Sequence, residues 1–144
     1  MKRIIAHRGN VYGPNEDKEN SPDYILEALA LGYEVEIDVW HVSGEFFLGH
    51  DGPEHKIDEI FLENDKFWCH AKNREALDAM ILNKNIHCFW HQEDDYTLTS
   101  RGFIWAYPGK QSQGRAVCVM PEKTSSIDTS TFECICTDFC EKFK

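Results

Sequence analysis

Residues 33–40 read YEVEIDVW, and the two-residue period of a β-strand sorts them into two faces. Val35, Ile37 and Val39 share one face, while Glu34, Glu36 and Asp38 share the other. The apolar face calls for a packed layer, so the run reads as a strand of a covered sheet. Neighbours on one face lie about 6.6 Å apart. Carboxylates at that spacing repel one another in a poorly solvated interior unless a cation lies among them. Oxygen ligands of this kind suit magnesium or calcium. A half-exposed strand with a solvated acidic face is the plain alternative.

Six further runs have strand character: RIIAHR before this stretch, then KFWCHAK, IHCFWH, FIWAY, RAVCVM and ECICTDF after it. Between the first two runs Ser21 can cap a helix, Pro22 suits its first turn, Ile25, Leu26 and Leu29 form a stripe, and Gly32 can end it. Such a crossover returns the chain in the parallel sense. A second helix is expected over residues 74–83, capped by Asn73, with Leu77, Met80 and Ile81 on one face. A short one is expected over 57–62. The connections at 92–100 and 109–114 are too short or too polar for packed helices. Strands separated by helices predict an α/β fold whose mostly parallel sheet curls toward a barrel.

The 144 residues, 42% of them hydrophobic, suit one domain spanning 1–144. With 25 acidic against 15 basic residues and a formal charge of -10, the composition disfavours nucleic acid and anionic membranes as partners. No signal-peptide core and no run of membrane-spanning length is present, which predicts a cytoplasmic protein without membrane insertion. The six cysteines sit mainly in apolar runs and read as reduced packing residues.

Several polar residues fall where a parallel sheet presents chemistry. His7-Arg8 ends the first run, placing a proton carrier beside a planar fork of donors suited to phosphate. His50-Asp51 supplies a second imidazole with a carboxylate to orient it. His70 and Lys72 share one strand face, and His87 and His91 share another. His41, His55 and His87 read as packed or supporting histidines.

The order His7-Arg8-Gly9, Glu19-Asn20, Glu36-x-Asp38 and His50-Asp51 resembles the amino-terminal signature of the glycerophosphodiester phosphodiesterases, within the phospholipase-C-like superfamily. The resemblance implies His7 and His50 as general acid and base, Arg8 and Lys72 as phosphate contacts, and Glu36 and Asp38 as metal ligands. It casts Glu19 and Asn20 as supporting residues; beside them Asp51 is the carboxylate that would orient His50, and His91 either faces the pocket beside Lys72 or satisfies a hydrogen bond in the core. His70 stands where the family carries a third acidic ligand, two residues before a lysine. It would complete the metal set and widen the choice from magnesium or calcium to manganese or zinc.

Trp105-Ala106-Tyr107 resembles the family's aromatic strand at the substrate pocket, and Cys136-Thr137-Asp138 the Thr-Asp closing its last strand. A full barrel of this type takes roughly 250 residues. The implied fold is therefore a reduced TIM-barrel-like (β/α) barrel of about seven mostly parallel strands with shortened later helices. The implied activity is metal-dependent hydrolysis of a small-molecule phosphodiester such as a glycerophosphodiester. A lysolipid or a surface-polymer diester is the alternative substrate, and an inactive phosphate- and metal-binding protein the alternative function. Pairing with a second copy, as a homodimer, would cover an open sheet edge.

Overall fold

The acidic stretch forms part of a longer strand, β2 (Glu34–Val42), and the sheet is organised around it in the computed structural model, which describes residues 2–144. On one edge β1 (Arg3–His7) runs parallel to it from Ile5↔Glu34 to His7↔Glu36. On the other edge β5 (Phe67–Ala71) runs parallel from Val35↔Phe67 to Val39↔Ala71. Two α-helices, α1 (Pro22–Ala30) and α2 (Arg74–Ile81), make the β1-to-β2 crossover and the crossover from β5 to β6 (Cys88–Phe89). Asn73 caps α2 through Ala76 N–H and also exchanges two hydrogen bonds with the His41 backbone, tying the helix start to β2.

The remaining strands are β3 (Glu45–Leu48), β4 (His55–Ile57), β7 (Tyr96–Leu98), β8 (Ile104–Ala106), β9 (Gly114–Val119) and β10 (Phe132–Thr137). Their order is β4-β3-β2-β1-β10-β9-β8-β7, with β5 on the far edge of β2 and β6 beside β5. The expected seven-stranded, mostly parallel (β/α) barrel is not what forms. Among the described residues, ten strands make one mixed sheet curled into a half-barrel, with two α-helices.

The physical reason lies in the connections. A (β/α) barrel needs a helix after each strand to cover its outer face, and beyond α2 every helical turn is a short 3-10 segment. Three pairings, β2–β3, β3–β4 and β7–β8, are antiparallel. The helix expected over residues 57–62 is likewise a 3-10 turn, Glu59–Glu63.

The period-two alternation of β2 divides the interior into two layers. Val35, Ile37 and Val39 pack outward against Ile25 and Ala28 of α1, Ala76 and Met80 of α2, and Leu62. On the concave side Ile5, Trp68, Phe89, Phe103 and Trp105 form a second cluster, with Trp68 centred 4.9 Å from Phe103 and 5.9 Å from Trp105. All six cysteines are buried and unbridged. No described helix is long and apolar enough to cross a membrane.

Candidate functional site

The acidic face of β2 points into the concavity, so the solvated-face alternative fails: Glu36 is 2% exposed and Asp38 1%. Parallel register sets their neighbours, since His7 stands beside Glu36 across β1–β2 and His70 beside Asp38 across β2–β5. Glu36, Asp38 and His70 each offer a ligating atom within 4.8 Å of the others. His70 Nδ1 lies 3.4 Å from Asp38 Oδ1 and 3.6 Å from Glu36 Oε2.

Ligands about 2.0–2.3 Å from one ion and at right angles to each other are separated by roughly 3 Å. The trio fits a divalent ion after small side-chain adjustments. His70 Nε2 lies 2.8 Å from the His91 carbonyl, which can only accept. The proton therefore sits on Nε2 and Nδ1 is directed at the two carboxylates, the outer-shell arrangement typical of a metal-ligating histidine. Phe89 stacks on the ring at 4.9 Å and fixes its plane. Burial opposes protonation of His70, yet Asp38 and Glu36 outweigh it and raise its pKa to about 9. Without an ion, the imidazolium supplies the positive charge this pair of carboxylates requires.

Asp38 is fixed from a second direction. Asn20 Nδ2 donates to Asp38 Oδ2 at 2.9 Å, and Asn20 Oδ1 accepts from the Asp38 backbone N–H at 2.9 Å. Asn20 adopts a left-handed backbone, φ 66°, a conformation asparagine tolerates better than most residues. Burial works against ionisation of Asp38, but the facing His50, His70 and Arg8 hold its pKa well below the ordinary carboxylate range.

His7, the last residue of β1, places Nδ1 2.8 Å from Asp138 Oδ1 and Nε2 3.9 Å from Glu36 Oε1. Burial lowers its pKa, and the Asp138 hydrogen bond and the Glu36 charge more than reverse that, leaving it raised. Asn10 Nδ2 bridges Asp138 Oδ1 at 2.9 Å and Glu19 Oε2 at 3.0 Å. Arg8 donates to Glu19 Oε1 at 3.2 Å, meets His50 Nε2 at 3.2 Å and brings Nε within 3.3 Å of Asp38 Oδ2. That last approach is an ion pair without hydrogen-bond alignment, because Nε has no hydrogen-bond partner.

A guanidinium only donates, so His50 Nε2 accepts and the proton resides on Nδ1, 3.5 Å from Asp38 Oδ2. The neighbouring Gly49 lets the chain turn here: a Cβ on it would lie 2.0 Å from the Gly52 carbonyl oxygen. His50 is held by Arg8 and lies near Asp38 without hydrogen-bond alignment, whereas the expected partner Asp51 is 92% exposed at its side chain and 3.7 Å away.

These groups open onto a cleft of about 200 Å³ at the carboxyl ends of the parallel strands. Lys72, Trp105, Tyr107 and His91 line it as well, and Tyr107 meets the His91 ring edge-on at 5.8 Å. His91 Nε2 bonds the Asp94 carbonyl at 2.7 Å, and its own carbonyl accepts from His70 Nε2–H. His87 belongs elsewhere: it is buried against Trp68 and bonded to Thr99 Oγ1 at 2.7 Å. A larger depression, about 550 Å³ around Arg3, Tyr33 and Phe143, lies at the opposite strand ends and holds no comparable constellation.

Glu19, Asn20, Glu36, Asp38, His7, Arg8, His50, His70, Lys72, Trp105, Tyr107 and His91 thus meet in and around one cleft. Asn10, Glu122 and Lys123 join them without a sequence signal. Asp138 entered only as the end of the last strand. Its partnership with His7 depends on β10 lying beside β1, with Ala6 opposite Thr137, a register fixed by tertiary pairing. Comparison of the chain with protein-family models, with curated proteins and with solved structures finds no match.

Proposed function

We propose that this chain is a metal-dependent phosphodiesterase acting on a small phosphodiester, as its resemblance to the glycerophosphodiester phosphodiesterases suggests. The observation that carries the reading is the convergence of Glu36, Asp38 and His70 with two imidazoles, His7 and His50, on one cleft of about 200 Å³. A lone acidic cluster is ordinary; two imidazoles with separately fixed orientations beside it are what acid–base chemistry requires.

Glu36, Asp38 and His70 would hold the ion, which when bound polarises a phosphoryl oxygen as a Lewis acid. Magnesium or calcium suits the carboxylates, and His70 extends the choice to manganese or zinc. His7 and His50 form the proton-transfer pair. One takes the proton from the attacking hydroxyl or water as its oxygen bonds to phosphorus. The other delivers a proton to the departing oxygen as the second P–O bond breaks. Asp138 holds His7 through Nδ1 and leaves Nε2 toward the cleft. Lys72 adds positive charge on the wall, and Trp105 and Tyr107 offer apolar surface to the substrate's alcohol.

The cleft's size favours a headgroup-sized substrate, and the chain's charge of -10 opposes nucleic acid. A cytoplasmic location, without membrane insertion, belongs to the same proposal. The experiment is hydrolysis of bis(p-nitrophenyl) phosphate, glycerophosphocholine and lysophosphatidylcholine after EDTA treatment and on return of magnesium, calcium, manganese or zinc. Metal-restored turnover supports the reading, and the preferred diester identifies the substrate class. No turnover with any ion, while an ion still raises the melting temperature, means a metal-binding protein without this activity.

A further inference from the structure

Lys72 and Lys123 both line the cleft, and neither ammonium has a hydrogen-bond or ion-pair partner among the described residues. Every other cation there is engaged. Arg8 is held by Glu19, His50 and Asp38, and His7 by Asp138. Arg8 is therefore a clamp within the protein, with much of its donor fork turned inward.

Lys123 also reaches the cleft through a turn built at some conformational cost. Met120 takes a left-handed backbone, φ 53°, a rare state for an unbranched apolar residue with no hydrogen-bonding side chain. The turn is secured at both ends. Met120 N–H donates to the Cys136 carbonyl at 2.7 Å, and Lys123 N–H to the Met120 carbonyl at 3.0 Å. Between them, Glu122 accepts from Thr137 Oγ1 at 2.7 Å and from Asp138 N–H at 3.1 Å. The segment Pro121–Lys123 is thus pinned to the end of β10, next to the carboxylate that holds His7. Strain maintained by three anchors, ending in an unpartnered lysine at the cleft wall, is a positioning device.

We infer that Lys123 is a substrate-contacting residue, forming with Lys72 a two-ammonium seat for the phosphate group of the ligand. On a chain of net charge -10, two uncommitted ammonium groups on one small cleft create the local attraction that an anion otherwise lacks. Lysine acts there as a point charge on a flexible stem, so the seat follows the phosphate as its geometry changes. The inference rests on the phosphodiesterase reading for its ligand, while its test uses binding and stands apart from turnover.

Inorganic phosphate is titrated calorimetrically into the full chain with magnesium present, comparing wild type with Lys72→Gln, Lys123→Gln and the remote control Lys56→Gln, whose ammonium pairs with Glu45. Glu122→Gln, which loosens the turn and keeps Lys123, is the fifth protein. Melting temperatures establish that each variant is folded; Lys123 is exposed, so its substitution leaves the core intact.

The expected result is at least a tenfold rise in Kd for Lys72→Gln and Lys123→Gln, a smaller rise for Glu122→Gln, and none for Lys56→Gln. Unchanged phosphate affinity in Lys123→Gln overturns the seat, even where diesters are hydrolysed. Loss of affinity in both cleft-lysine variants without turnover of any diester keeps the seat and rejects the phosphodiesterase.

Discussion

Asn20 and Asp38 exchange two hydrogen bonds, and that exchange orients the most deeply buried carboxylate of the cleft. Replacing Asn20 by Ala removes both and leaves Asp38 N–H unpaired, at a cost of about 1–3 kcal/mol. Thermal denaturation should register that loss, and metal titration a 10–100-fold weaker affinity. Asp138→Asn removes the charge that holds His7, and turnover should fall about 10²–10⁴-fold with the melting temperature little changed. His87 gives a separate pH test. Burial, then the charges of Arg101, Arg3 and Arg115, lower its pKa from 6.5 to about 3. Between those values the unfolded chain binds a proton that the folded one refuses, so stability should fall as pH drops from about 6.5 toward 3. Denaturant midpoints measured for wild type and His87→Gln should converge at acidic pH as the variant loses that slope above pH 4. The residues of the cleft were legible in the sequence where they lie in short ordered motifs, as with His7-Arg8 or Glu36-x-Asp38. The meeting of Asp138 with Asn10 and His7 was not, because Asp138 lies 128 and 131 positions from them.

At the level of elements, the β2–β3 hairpin carries His50 to the cleft. Ser43 and Gly44, with φ of 52° and 80°, make the tight turn, and β3 returns antiparallel from Val42↔Glu45 to Val39↔Leu48. Gly49 then turns the chain where a side chain has no room. Gly49→Ala should lower stability by about 2 kcal/mol or more and misplace His50, so turnover should fall together with the melting temperature. The seven long runs with apolar alternation were readable as strands. Strands β4 and β7 were not, because their side chains are half-exposed or exposed and leave no apolar run, whereas the equally short β6 and β8 are mostly buried. Ser43-Gly44 is a turn pair in sequence, but the pairing of β3 back on β2 depends on the free edge beyond the end of β1, which no local pattern records.

Across the whole molecule, the last strand in sequence is one of the most central in space: β10 lies between β1 and β9. Residues 3–6 pair with 134–137, so the middle of the sheet closes only when both ends of the described chain are present. Removing residues 132–144 should abolish the cooperative unfolding transition seen by circular dichroism instead of merely fraying an end. Such non-local pairing also predicts folding on a millisecond-to-second scale, measurable by stopped flow. Strand–helix alternation predicted a mostly parallel (β/α) barrel and a mixed half-barrel forms instead, since closure of a (β/α) barrel depends on helices that the short connections after α2 do not supply. What this scaffold brings together is Glu36, Asp38 and His70 with His7 and His50 at one strand end. The measurement that tests this most directly is turnover of bis(p-nitrophenyl) phosphate with manganese by wild type, Asp38→Asn and His50→Ala, each checked for folding by its melting temperature. Turnover that EDTA abolishes, manganese restores and either substitution reduces at least a hundredfold is the expected result; turnover indifferent to EDTA, or equal in all three proteins, would contradict it.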